Sequence, residues 1–257
     1  MPELNDATTR FSKRVNNYIR FRPGYPPALV DLLAREAGLN AESTIADIGA
    51  GTGLLSTAFL KAGYSVIGIE PNREMRQAGD TLLAAHPHYR SIDATAEATS
   101  LPDHSIDLAV AGQAFHWFQV EDARREWTRI LKPGGMAALI WNERHIASPF
   151  MREVEDLIDT YATELDKDGF IREGGRSRID LFFAPSPFRV DEFPNTQEFE
   201  LEGLLGRVAS CSYVPDEADP HYSGMSAALA GIFNRYQHNG HVKFEYRTRI
   251  YRGTLQP

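Results

Sequence analysis

Cysteine is nearly absent from this 257-residue sequence, which contains only Cys211. A single cysteine excludes a disulfide within the chain and any metal site built from several thiolates. Two histidine pairs, His86/His88 and His238/His241, have spacings that also occur in metal sites. Neither pair has a cysteine or a well-placed carboxylate nearby, so we expect no bound metal.

Positive charge and long apolar runs are also scarce. The chain has 27 Lys and Arg against 35 Asp and Glu, a net charge of −8 with His neutral. Such a surface repels phosphate backbones at long range, so we predict no nucleic-acid partner. No stretch approaches the roughly 20 apolar residues that a membrane-spanning helix needs. The opening residues, MPELNDATTR, lack the order of a secretory signal, so we expect a cytoplasmic protein without a membrane partner.

Short apolar runs alternate with helical patterns after residue 42. The apolar runs predict strands at 43–48, 65–70, 89–93, 106–112 and 136–141. The helical patterns between them cover 54–62, 73–85 and 121–131. This alternation predicts a parallel sheet with helices on both faces.

The segments outside this alternation complete the expected domain. Helical patterns predict helices at 6–20, 26–38 and 149–165, and alternating apolar residues predict strands at 188–199 and 242–255. We expect a single domain with three parts: N-terminal helices at 1–42, a core sheet from 43–199 and 241–257, and a helical cap inserted at 200–240. The basic residues Arg172, Arg176 and Arg178 could meet an anionic substrate, but we expect them in a solvated loop.

The first predicted strand leads into a glycine-rich loop, Asp47-Ile48-Gly49-Ala50-Gly51-Thr52-Gly53. Alternate glycines let the backbone turn tightly and approach a ligand closely. The amides that begin the following helix favour an anionic group such as a carboxylate. A dinucleotide-binding loop would read G-x-G-x-x-G, but the sixth position is Leu54 counted from Gly49 and Ser56 counted from Gly51.

Two further acidic residues lie at predicted strand ends. Glu70 ends the second strand, where its carboxylate can accept both hydroxyls of a ribose. Asp93 ends the third strand, where it can accept a hydrogen bond from an adenine amino group, with Ala94 offering its backbone amide. Either acid alone could equally be a turn or cap residue. Because Asp47, Glu70 and Asp93 lie at the ends of successive predicted strands, the three together favour a nucleoside ligand at the carboxyl edge of the sheet.

The chain resembles the class I S-adenosylmethionine (SAM)-dependent methyltransferases in five motifs: DIGAGTG at 47–53, IEPN at 69–72, Asp93 with Ala94, LPDHSIDLAV at 101–110 and LKPGG at 131–135. Within that class it is most similar to the type-11 group, which includes ubiquinone/menaquinone biosynthesis and trans-aconitate methyltransferases. The match covers residues 44–142, and a weaker one, YIRFRPGYP, covers 18–26. The resemblance implies a Rossmann-like α/β fold whose seven-stranded sheet is mostly parallel, with an antiparallel last strand.

The same resemblance implies which residues contact SAM. The glycine loop would hold the methionine part of SAM, and segment 113–118, beginning with Gln113, would contact the methionine end and the acceptor. The other implied contacts are Glu70 to the ribose, Asn72 and Met75 beside the adenosine, and Asp93 with Ala94 at the adenine. The loop residues expected to bind are Asp47, Gly49, Ala50, Gly51 and Gly53.

Two other groups of residues have alternative interpretations. Tyr18, Arg22 and Tyr25 could reach the carboxylate of SAM, Arg22 by a bidentate contact, or they could form a surface turn around Pro23-Gly24. His116 is the candidate catalytic residue, for orienting the acceptor or for removing its proton, but it could merely cap the next helix.

The expected function is SAM-dependent methylation of a small molecule at an oxygen, carbon or nitrogen atom. Methyl transfer depends mainly on bringing the two reactants together in a dry, oriented site, and it needs a base only for a protonated acceptor. A non-catalytic SAM-binding protein of the same fold is the alternative. An NAD-dependent oxidoreductase is disfavoured because the third glycine is missing.

Overall fold

The computed structural model describes residues 19–162, 175–211 and 213–256. The helices are α1 (Pro27–Glu36), α2 (Leu54–Lys61), α3 (Arg73–Leu82), α4 (Val120–Ile130), α5 (Pro149–Tyr161), α6 (Gly175–Phe183), α7 (Leu201–Ala209) and α8 (Tyr222–Tyr236). The strands are β1 (Thr44–Ile48), β2 (Ser65–Ile69), β3 (Tyr89–Ile92), β4 (Ile106–Gly112), β5 (Leu131–Arg144), β6 (Arg189–Phe199) and β7 (Val242–Thr254). Residues 19–21 are helical, and the rest of the helix predicted at 6–20 lies outside the described residues.

All seven strands form one sheet in the order β3-β2-β1-β4-β5-β7-β6. Strands β1 to β5 pair in parallel, and β7 lies antiparallel between β5 and β6. The prediction of a mostly parallel sheet with an antiparallel last strand is therefore confirmed. The strand order reverses direction at β1, whose neighbours are β2 and β4, and ligands bind at such a switch point.

Apolar clusters cover both faces of the sheet, as the alternation of strands and helices predicts. Ile45 of β1 packs in a cluster with Leu33 of α1 and Phe59 of α2. The next residue, Ala46, belongs to the opposite cluster, with Trp127 of α4. Successive side chains of a strand point to opposite faces, so β1 needs apolar residues at every position.

Strand β5 differs from the prediction, since it runs from Leu131 to Arg144 rather than over 136–141. Its register against β4 shifts between the pairs Ile106–Leu131 and Leu108–Met136, so that residues 132–135 bulge out of the ladder. The long strand carries its last residues beyond the sheet edge, where they pair with β7.

Helix α6 corrects the expectation of a solvated loop. Arg176 and Arg178 lie in this helix, whereas Arg172 lies outside the described residues. The helix forms because Ile179 and Phe182 are buried against the cluster around α4. Arg178 is held at the end of segment 113–118, where its Nη2 donates to the Phe118 carbonyl at 2.6 Å.

The predicted helical cap contains α7 and α8, which pack on α5 and on the ends of β6 and β7. This packing forms a separate cluster that includes Val154, Leu204 and Phe244. Phe233, one of the cap aromatic residues, is buried in the same cluster, and the Tyr236 hydroxyl donates to Glu153. These aromatic side chains hold the cap to the domain. No helix among the described residues meets the length and apolarity that crossing a membrane requires.

Candidate active site

The glycine loop has the backbone conformation that its sequence predicts. Gly49, Gly51 and Gly53 have φ angles of +73°, +57° and +82°, in the left-handed region that favours glycine. The Gly49 and Ala50 amides donate to the Ile69 carbonyl at 2.8 and 3.1 Å, which ties the loop to the end of β2. The loop is therefore a fixed turn between β1 and α2.

The three glycines differ in what a side chain would meet. A Cβ atom on Gly49 would lie 2.5 Å from the Ala114 Cβ, and one on Gly53 would lie 2.5 Å from the Leu83 Cδ1. The nearest atom to a Cβ on Gly51 is the flexible Met75 Cε, at 3.3 Å. Gly49 and Gly53 are thus required by packing as well as by φ, whereas the one close contact at Gly51 is with the end of a flexible side chain that can move.

Glu70 lies against this loop, as its position at the end of β2 predicts. Its Oε2 accepts from the Gly51 amide and its Oε1 accepts from the Asn72 amide, both at 2.8 Å. Burial raises the pKa of the Glu70 carboxyl, and the two amides oppose that rise. Each carboxylate oxygen can accept more than one hydrogen bond, so both remain able to accept a hydroxyl.

Arg76 joins the second and third strand ends, a role that the sequence reasoning missed. Its Nη1 donates to the Glu70 carbonyl and its Nη2 to Asp93 Oδ2, each at 2.7 Å. Asn72 caps α3 by accepting from the Met75 amide at 3.0 Å. The position of Arg76 in the first turn of α3 was the available signal, because that turn faces the strand ends.

Asp47 braces the loop from within the fold. Its side chain is buried, and Oδ2 accepts from the Ser56 hydroxyl at 2.7 Å. Burial, with a smaller contribution from the nearby Glu70, raises the pKa of the Asp47 carboxyl to about 7. The Ser56 contact fixes the first turn of α2 relative to β1.

Asp47→Asn is expected to stabilise the protein above about pH 7 and to have little effect near pH 4. The folded-state pKa is raised above the unfolded value, so wild-type stability falls as pH rises towards about 7, whereas asparagine does not titrate. At about 1.4 kcal/mol per pKa unit, the difference in free energy of unfolding reaches up to about 4 kcal/mol. Urea unfolding at acidic, neutral and alkaline pH measures it, with the exposed Asp31→Asn as control. An equal effect at every pH would contradict a buried, titrating Asp47.

Segment 113–118 lies next to the loop at the end of β4. Gln113 has a φ of +59°, and its Nε2 donates to the Asn142 carbonyl at 3.1 Å. Phe115 and Phe118 are buried in the core, which leaves His116 and Trp117 more accessible.

His116 is half-buried at this edge. Its Nδ1 is buried and makes no hydrogen bond with the described residues. Burial, together with the charges of Arg178 and Arg22, lowers the pKa of His116 to about 4. The imidazole is therefore neutral at physiological pH.

The segment before α1 is fastened over this edge. The Arg22 Nη2 donates to the Ser210 carbonyl of the cap at 2.8 Å. The Gly24 carbonyl accepts from Asn142 Nδ2 at 3.2 Å and from Asn195 Nδ2 at 2.8 Å. Residue 112 is a glycine, and the Tyr25 hydroxyl occupies the space beside it that a side chain would fill. Arg22 thus bridges to the cap, and Tyr18 lies outside the described residues.

A small cleft lies between this segment, the sheet edge and the cap. It is lined by Arg22, Pro23, Tyr25, Leu54, Gln113, Asn142 and Arg207. Leu54 is the first residue of α2, directly after the glycine loop. Arg207, on α7, was missed by the sequence reasoning, although an arginine within the apolar stretch 204–209 was a visible signal.

Comparisons with known proteins agree with this geometry. A family model described as a methyltransferase domain matches residues 46–139. An uncharacterised methyltransferase of Mycobacterium bovis is 34% identical over 211 residues, which are 81% of this chain and 79% of the relative.

Two solved structures share the fold. A candidate type II methyltransferase from Anaeromyxobacter dehalogenans has a TM-score of 0.71 at 22% identity, over 92% of this chain and 99% of that one. A phosphoethanolamine N-methyltransferase of Haemonchus contortus, in complex with phosphomonomethylethanolamine and S-adenosylhomocysteine (SAH), has a TM-score of 0.55 at 14% identity, over 99% of this chain and 59% of that one.

Proposed function

This chain belongs to the type-11 family of class I SAM-dependent methyltransferases, and we propose that it binds SAM at the glycine loop and methylates a small molecule in the cleft beneath the cap. The observation that carries the proposal is the pairing of Gly51 with Glu70 at the switch point of the sheet. A methyltransferase structure of the same fold, in complex with SAH and phosphomonomethylethanolamine, supports it.

The residues at the sheet edge have the donors and acceptors that SAM requires. Glu70 would accept the ribose hydroxyls, and Asp93 with Ala94 would contact the adenine. Asn72 and Met75 would lie beside the adenosine. The loop residues Gly49, Ala50, Gly51 and Gly53 would surround the methionine part, and Asp47 would brace them from beneath. Gln113 and Arg22 would lie towards its carboxylate. Bound SAM supplies an electrophilic methyl group on its sulfonium.

The protein's own contribution is position and the exclusion of water. The fixed loop holds one reactant, and the cap with the segment before α1 closes the other side, so the reacting atoms meet without solvent between them. His116 orients the acceptor through a hydrogen bond. With its pKa lowered to about 4, it is a weak base, which favours orientation over proton removal.

Equilibrium dialysis against SAM, SAH and NAD tests the cofactor, and incubation with methyl-labelled SAM and a metabolite pool tests the transfer. We expect SAM and SAH to be retained, NAD to pass freely, and label to enter a small molecule. Retention of SAH without transfer of label would identify a non-catalytic SAM-binding protein. Retention of NAD alone would overturn the assignment of the cofactor.

His116 is expected not to titrate between pH 5 and pH 8. Burial and the neighbouring arginines favour the neutral ring, so its NMR signal should shift only as the pH falls towards about 4. The spectrum of His116→Gln identifies the signal, and the exposed His88 is an internal control. A midpoint near the ordinary histidine value would show that the ring is solvated and free to act as a base.

A further inference from the structure

Arg207 is a buried cation that no carboxylate in the described part of the chain neutralises. It is 3% exposed, and no Asp or Glu among the described residues forms an ion pair with it. The other well-buried arginines differ: Arg144 pairs with Glu155, and Arg252 pairs with Asp191 as well as with an α1 carboxylate.

This absence of a counterion is costly. Burying a charge with no opposite charge beside it carries a large desolvation cost, even after the surroundings relax. The chain has eight more acidic than basic residues, so a shortage of carboxylates does not explain it. A cation held in this way is expected where an anion arrives from outside.

The surroundings of Arg207 fix its orientation. The Nε donates to the Tyr246 hydroxyl at 2.7 Å, and that hydroxyl donates in turn to Gln197 Oε1 at 2.7 Å. The Cζ lies 5.2 Å from the ring centroid of Phe244 and 5.4 Å from that of Tyr246. Nη1 lies 3.5 Å from Ser210 Oγ and 3.4 Å from Cys211 Sγ. Nη2 forms no hydrogen bond within the described part of the chain, so this terminal nitrogen is held in place with its donors available to a ligand.

The position of Arg207 indicates which reactant it serves. It comes from α7 of the cap and lines the cleft that also contains Leu54 and Gln113. Under the proposed function, Gln113 and Arg22 are already assigned to the carboxylate of the cofactor. Building on the proposed function, we propose that the methyl acceptor is a small oxyanion, with a carboxylate or phosphate group that the Arg207 guanidinium binds.

Cys211 could neutralise Arg207 in place of an anionic acceptor. Its Sγ lies 3.4 Å from the Arg207 Nη1, and despite its burial the neighbouring arginines, Arg207 foremost, lower the pKa of its thiol to about 6. A thiolate there would supply the missing negative charge. Cys211→Ser therefore belongs among the test variants.

Ligand-observed NMR on the SAH complex tests the proposal. The probes are benzoate, succinate and phenyl phosphate, and the uncharged controls are benzamide, succinamide and benzyl alcohol. At millimolar concentration we expect at least one anion to bind and its control not to bind. Arg207→Met should weaken that binding roughly tenfold to a hundredfold. Arg207→Lys should keep part of it, because the charge remains. The exposed Arg235→Met, on the same cap, should change nothing.

Arg207 could instead bind the carboxylate of the cofactor. To distinguish this from binding of the acceptor, the affinity of Arg207→Met is measured for SAH and for 5′-methylthioadenosine, which lacks the methionine carboxylate. Both should match the wild type, which also shows that the variant is folded. If the variant binds SAH more weakly but binds 5′-methylthioadenosine like the wild type, Arg207 binds the cofactor carboxylate and the proposal is overturned.

Each of the other possible results also tests the proposal. The proposal is overturned if no anion binds, if anions and controls bind equally, or if anions bind only to Cys211→Ser. If wild-type protein fails to bind SAH, the proposed function fails first. If SAH binds and the anions do not, only the role of Arg207 fails.

Discussion

Glu70→Ala is expected to weaken SAH binding by a factor of about 100 or more. A hydrogen bond to a charged group contributes about 1.5–3 kcal/mol, and the variant loses two such bonds to the ribose hydroxyls. It also removes the acceptor of the Gly51 amide, so the loop loses a contact that shapes it. Both effects act on the cofactor, and the second also lowers the free energy of unfolding.

Isothermal titration calorimetry with SAH measures this loss, and urea unfolding measures the accompanying change in stability. Glu74→Ala is the matched control, since Glu74 is an exposed acid in the first turn of α3, close to Glu70 in sequence. It should bind SAH like the wild type. Unchanged affinity in Glu70→Ala would show that the ribose does not lie at the end of β2.

Gly51→Val is expected to reduce SAH binding below detection while the domain stays folded. A Cβ atom on residue 51 meets only the flexible end of Met75 within the protein, so the domain can accommodate it, and the added bulk would compete for the space assigned to the methionine part of SAM. The φ of +57° adds a left-handed strain of about 1–2 kcal/mol.

Gly63→Val separates strain from ligand exclusion. Gly63 follows α2 with a φ of +91°, and no atom lies within 4 Å of the point that a Cβ would occupy, so it has comparable strain away from the site. The two variants should lose similar stability in urea, whereas only Gly51→Val should lose SAH binding. If Gly51→Val binds SAH as Gly63→Val does, the space beside Gly51 does not hold the ligand.

The site divides between two parts of the fold. The sheet edge supplies Glu70 and the glycine loop, which are proposed to hold the cofactor, and the cap supplies Arg207, which is proposed to hold the acceptor. His116 follows β4 at the sheet edge, and burial together with the charges of Arg178 and Arg22 keeps it neutral. An acceptor anion would offset those positive charges, so acceptor binding is expected to raise the pKa of His116.

Much of the cofactor side was predictable because its information is local. Glycines that need positive φ, and acids placed directly after apolar strands, are visible in the order of the residues. The rule that parallel strands share a carboxyl edge then brings Glu70 beside Gly51. The predictions failed where local pattern and packing diverge. Helix α6 follows a Gly-rich, basic stretch, and its burial depends on the distant α4.

The sequence by itself determined the parallel α/β sheet, the glycine loop and the acids at the strand ends. Only the tertiary structure decided which residues of the cap and of the segment before α1 lie opposite this sheet edge. Arg207 meets Tyr246 across 39 positions, and Arg22 meets Ser210 across 188. Such contacts arise when the cap and the segment before α1 pack against the sheet edge, and packing between distant segments leaves no periodic pattern in the residues that it joins.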